Sequence, residues 1–137
     1  MARVLMLEGA LGSAPEGYLL RISLPWIRSM PLSCVTGLRV QIDAEPEERL
    51  TIDIDGRTVT PSDLARSDKW WFLQDHLQLR GHRRLRPGAH TVTASFQLVV
   101  PYLNGHDGGP LTVPFRDDRT LELDCPAPVP SASLPVA

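Results

Sequence analysis

Apolar and polar residues alternate with a period of two along most of this chain. Leu20, Ile22 and Leu24 point to one side of an extended run while their polar neighbours point to the other; Leu38, Val40 and Ile42, then Leu50, Ile52 and Ile54, repeat the arrangement. This alternation predicts half-buried strands, because successive side chains of a strand leave it on opposite faces. It is clearest in "HTVTASFQLVV", where Val92, Ala94, Phe96, Leu98 and Val100 form an apolar face against Thr91, Thr93, Ser95 and Gln97. Further strands are expected at 70–73, 76–80, 111–115 and 119–124.

Turn signals separate these runs. "DG" at 55–56, "PG" at 87–88 and "NGHDGGP" at 104–110 supply the Gly and Asn that tight reversals need. Asp117 and Asp118, flanked by Arg116 and Arg119, read as a charged turn, and "RGHRRLR" (80–86) reads as a solvated hairpin end. The one good helix signal is "TPSD" at 60–63, with Thr60 as N-cap, Pro61 at the first position and Asp63 closing a capping box. Together these features predict an all-β fold: an antiparallel β-sandwich of about eight strands with one short helical turn, spanning residues 1–125. The tail from 126 to 137 holds four prolines among small residues and is expected to be extended or disordered unless a partner binds it.

Composition narrows the function classes. With 42% apolar and 22% charged residues the chain has the make-up of a globular domain. The longest apolar stretch, "LVVPYL", is far short of the roughly 20 residues that span a bilayer, so no membrane segment is expected. The first residues lack the apolar core of a signal peptide, which places the protein in the cytoplasm and makes Cys34 and Cys125 free thiols rather than a bridge. A formal charge of −2 argues against nucleic acid as a partner.

Catalytic constellations are weak. "DIDG" (53–56) lacks the further oxygen ligands of a calcium loop, and the four histidines show no metal-ligand spacing. His106 and Asp107, in a Gly-rich turn, are the best remaining polar pair, while Ser33 and Cys34 have no base beside them. Aromatic residues are more telling. Trp70 and Trp71 are neighbours on a strand, so if one fills the core the other faces out. "PWIRSMPLSC" (25–34) places Trp26, Arg28 and Met30 between two prolines, in a stiff crossing where an ordinary connection would use Gly or Ser. With Tyr102, these residues suit an interface or a sugar-stacking platform, where Trp, Tyr and Arg concentrate binding energy.

"LPWIRSMPLSCVTGLRVQID" (24–43), "DKWWFLQD" (68–75), "PGAHTV" (87–92) and "PYL" (101–103), in that order, resemble the small β subunit of bacterial C-glycoside deglycosidases. The resemblance spans about residues 18 to 125; the leading "MARVLMLEGALGSAP" and the Pro-rich tail stand outside it. It implies a β-sandwich subunit docked on a larger α subunit, a TIM barrel similar to sugar-phosphate isomerases, which carries a divalent metal (manganese) and the catalytic base. The implied substrate is a 3-oxo-C-glucoside, whose C3 ketone acidifies the C2 proton so that elimination across C1–C2 expels the aglycone. On this reading the chain has no cofactor and no catalytic residue of its own. Trp26, Arg28, Met30, Trp70, Trp71, Tyr102, His106 and Asp107 are its interface or substrate-pocket candidates. The alternative is a carbohydrate-binding sandwich without a catalytic partner, using Trp26, Trp70, Trp71 and Tyr102 as stacking surfaces.

Overall fold

In a computed structural model of the protein, residues 5–7, 9–26, 28–72, 75–104 and 108–124 are described, and the structural statements that follow concern these. The alternating runs become strands with the expected faces inward. In β2 (Gly17–Ser23) Leu20 and Ile22 are fully buried while Leu19, Arg21 and Ser23 are not; in β4 (Val35–Ile42) Leu38, Val40 and Ile42 are buried, and in β10 (Ala89–Asn104) Val92, Ala94, Phe96, Leu98 and Val100 are. β1 (Leu11–Ala14), β2, β9 (His76–Gly81), β6 (Thr51–Ile54) and β7 (Arg57–Val59) make one antiparallel sheet in the order β1-β2-β9-β6-β7. A second antiparallel sheet runs β11-β10-β4-β5, with β5 at Glu45–Pro46 and β11 at Pro110–Glu122. Buried side chains of the two sheets join in one cluster, so the fold is all-β and layered sheet on sheet.

A third element is a ribbon of two short strands, β3 (Met30–Pro31) and β8 (Trp70–Trp71), with Met30 paired to Trp71 and Pro31 to Trp70. Eleven strands are thus described, several of only two residues. The β6–β7 reversal is the expected Asp-Gly turn, Asp55 and Gly56 both having positive φ. The short helix is a 3-10 helix at Pro61–Arg66, where the Asp63 carboxylate accepts from both the backbone and the hydroxyl of Thr60 at 2.9 Å. A second 3-10 turn, Leu32–Cys34, leads into β4.

Two expectations are corrected. The charged run at 116–119 is no turn: β11 continues through it, because Thr93 hydroxyl and Arg116 both satisfy Asp118 on the outer face while Asp117 turns inward. The basic run at 80–86 ends no hairpin; it leaves β9 and crosses to β10 in the other sheet. The expected strand at 70–73 is regular only at Trp70–Trp71, and Leu73, like Cys125 and the Pro-rich tail, lies outside the described residues.

Carboxylates tie the two sheets at both seams. On one side Asp117 accepts from the backbone amides of Leu5 and Met6 at 3.0 and 3.1 Å, and Asp124 accepts from Ser13 at 2.7 Å, joining the β11 end to the N-terminal segment. On the other, Tyr18 donates to Glu47 at 3.1 Å, and burial together with that carboxylate pushes the phenol far above its ordinary range. Gly81 lies opposite Tyr18 because any side chain there would collide with the Tyr18 ring.

Candidate functional site

The crossing from β2 to β4 contains Trp26, Arg28 and Met30, and its residues separate sharply by environment. Pro25, Met30, Leu32 and Cys34 are buried, Trp26 is half-buried and Arg28 is exposed. The ring nitrogen of Trp26 donates to the Tyr102 hydroxyl at 2.8 Å, and the Arg28 guanidinium lies over the Tyr102 ring, 4.9 Å from its centroid. Two residues of the crossing therefore grip one aromatic of β10 by its two handles: the hydroxyl and the π face.

Below this grip runs a series of ring contacts. Trp26 meets Phe115 edge-on at 6.2 Å, Phe115 lies 5.6 Å from Phe96, and Phe96 lies 5.7 Å from Trp71 in the core. Tyr102 belongs to a part of β10 that has outrun its neighbour. Pairing with β4 ends at Leu98, while pairing with β11 is regular to Val100 and resumes at Asn104 after an irregularity at 101–103, so a two-stranded extension runs on beyond β4. It carries Tyr102 and Leu103, 47% and 40% exposed, and the β8 segment contributes Trp70 and Phe72 at 50% and 54%. Among the described residues, four of the five exposed large apolar side chains come from these two segments. These two segments thus carry most of the exposed large apolar side chains among the described residues.

Two candidates are removed from that surface. Met30 and Trp71 are each 2% exposed, because the β3–β8 ribbon places them opposite one another on its inner face and so turns Trp70 outward. Trp26, Arg28 and Tyr102 come together as one cluster. Trp70 stands on the outer face of the ribbon, in a groove with Asp75 and His76. His106 and Asp107 lie outside the described residues.

Sequence reasoning missed two polar sites. His90 is 8% exposed, with Nδ1 2.7 Å from the Asp43 carboxylate and Nε2 2.6 Å from the Arg86 carbonyl. Each ring nitrogen faces an oxygen, and the Arg86 carbonyl and Asp43 raise the His90 pKa despite burial, favouring the protonated ring. Asp43 is correspondingly lowered by His90 and by the Thr91 amide. His90 falls in phase with Val92 and Ala94, so the alternation already pointed it inward. Asp117 falls in phase with Val113, Phe115 and Leu121, so the alternation pointed it inward too, but its charged neighbours masked that signal. Cys34 is buried, and desolvation pushes its thiol up, away from the thiolate a nucleophile needs. Among the described residues no three His, Cys, Asp or Glu side chains gather around a point that could hold a metal ion.

Trp26, Arg28 and Tyr102 thus form one partly exposed cluster, and comparison with known proteins gives its context. Residues 9–102 match the family described as the C-glycoside deglycosidase beta subunit. The chain belongs to that family. A C-glycoside deglycosidase beta subunit of Microbacterium trichothecenolyticum is 29% identical over 119 residues, covering 84% of this chain and 91% of the relative. A 3'-dehydrocarminate deglycosidase beta subunit of a Microbacterium species is 32% identical over 123 residues, 87% of this chain and 92% of that protein. A third relative, a C-glycoside deglycosidase beta subunit of Arthrobacter globiformis, is 29% identical over 107 residues. The family match ends at Tyr102 and so encloses Trp26, Arg28, Trp70 and Tyr102 but not β11.

Proposed function

We propose that this chain is the non-catalytic β subunit of a heteromeric, cytoplasmic C-glycoside deglycosidase, docking through Trp26, Arg28 and Tyr102 on a TIM-barrel, sugar-isomerase-like α subunit. The family match over residues 9–102 carries this reading. The partly exposed aromatic cluster supports it, because a Trp–Tyr–Arg grouping where the β2–β4 crossing meets the end of β10 suits the buried centre of a protein interface.

The substrate on this reading is a 3-oxo-C-glucoside. Its ketone makes the C2 proton removable by a base of the partner; the enolate's electron pair then forms the C1–C2 double bond as the C1–aglycone bond breaks, and the aglycone carbon takes a proton. A divalent metal on the partner, manganese, would supply charge stabilisation for the enolate. The part of the present chain is to bind and orient the α subunit.

Co-expression with an isomerase-like α subunit tests the proposal. A stable complex that cleaves a 3-oxo-C-glucoside, with neither chain active alone, is expected. Cleavage by this chain by itself, or failure to associate with such a partner, would overturn it.

A further inference from the structure

We infer that the groove beside Trp70 is a binding site for the pyranose ring of a neutral glycoside, a role separate from docking and independent of it. The groove has a volume of about 240 Å³, room for one sugar ring, and is lined by Trp70, Leu32, Asp53, Asp55, Asp75 and His76. Its aromatic wall is fixed by the fold. Because Trp71 is locked in the core, Trp70 must turn out, and it stands on the same face of the ribbon as its cross-strand partner Pro31.

The polar wall is fixed too. One oxygen of Asp53, Oδ2, receives both Gln78 Nε2 at 2.8 Å and Arg80 Nε at 2.7 Å, from the adjacent strand. The other, Oδ1, has only the Thr58 hydroxyl at 3.5 Å, which leaves an acceptor held in place with capacity to spare. Asp55, in the turn just after β6, also lines the groove and lies 3.4 Å from Lys69 Nζ, which brings a donor near the acceptors.

This pairing of an indole face with oriented carboxylates selects a ligand class. A pyranose offers apolar C–H groups to the indole on one face and hydroxyl donors around its rim for Asp53, Asp55 and Asp75. An anionic ligand would meet three carboxylates. A purely aromatic one could stack on Trp70 but would desolvate those carboxylates without bonding them.

Titration of the full chain with methyl β-D-glucopyranoside, and separately with phenol, followed by saturation-transfer NMR and tryptophan fluorescence, tests the inference. Saturable binding is expected for the glycoside, on the order of millimolar, weakened roughly tenfold by Trp70→Ala and only partly by Trp70→Tyr, which keeps a ring. Asp53→Asn should weaken it less than Trp70→Ala does, and Trp26→Ala should leave it unchanged. Unchanged melting of the Trp70 variants would confirm that the fold is intact, as expected for a side chain that is 50% exposed. No saturable glycoside binding, binding indifferent to Trp70→Ala, or phenol binding as tightly as the glycoside would overturn the inference. None of these outcomes bears on partner association, so the docking proposal stands or falls separately.

Discussion

The chain crosses from the five-stranded sheet to the four-stranded one twice, once between β2 and β4 and once between β9 and β10. The second crossing is rich in cations, and the fold uses them. Arg83 donates to the Ile42 carbonyl and pairs with Glu45, Arg84 donates to the Pro15 carbonyl, His82 bonds the Arg49 carbonyl, and the Arg86 carbonyl accepts from His90. The first crossing buries Met30, Leu32 and Cys34 but leaves Arg28 and the Tyr102 face outside, joined to each other and open to solvent. A segment whose binding groups are consumed within its own chain is structural. One whose groups are left partly exposed has binding groups to spare, as the docking proposed above requires.

The largest effect expected in breaking this contrast comes from the buried half of the first crossing. Met30→Ala should cost about 2–5 kcal/mol of unfolding free energy, measured by urea denaturation, since it empties a fully packed site against Trp71. Next, Trp26→Ala should weaken association with the α subunit roughly tenfold or more by calorimetry while changing the melting temperature of the chain far less than Met30→Ala does. A large melting shift with association unchanged would make Trp26 a core residue. Arg83→Met should do the converse on a smaller scale, lowering stability by about 1 kcal/mol without touching association.

The smallest effect is a pH dependence. The pKa of His90 is raised above 6.5, so the stability from its imidazolium is complete below that pH and is lost as pH rises through the raised value. That of Asp43 is lowered below 3.8, so its contribution is present above 3.8 and lost as pH falls through the lowered value. Arg83, close by, opposes the charge on His90. The clasp is therefore strongest between about pH 4 and pH 6.5, and the melting temperature should decline above that window more steeply in the wild type than in His90→Asn. Parallel profiles for the two proteins would show that the ring is not held as imidazolium.

The alternating strands, the Asp-Gly turn and the capping box were legible because each is a local rule: a side-chain period, a positive φ, a first-turn acceptor. The two ends of β11 were legible at 111–115 and 119–124, but its charged middle read as a turn, and only a cross-strand partner such as Thr93 reveals why charge is tolerated there. The basic run misled for a related reason, since its partners Ile42, Glu45 and Pro15 are distant in sequence. At the site, adjacency showed that one of Trp70 and Trp71 must face out, but only the ribbon register decides which. The same register withdrew Met30. The grip on Tyr102 joins residues 76 positions apart, and no local pattern foreshadows it.

The part of β10 beyond Leu98 has one strand for company instead of two, and an isolated two-stranded ribbon is marginal in water. Trp26 and Arg28 act on it as struts. A surface braced before contact has little conformational entropy left to surrender when a partner arrives, so more of the contact energy is kept as affinity. Removing either strut should therefore show in the thermodynamic signature of association as a larger entropic penalty, on top of the contact it takes away.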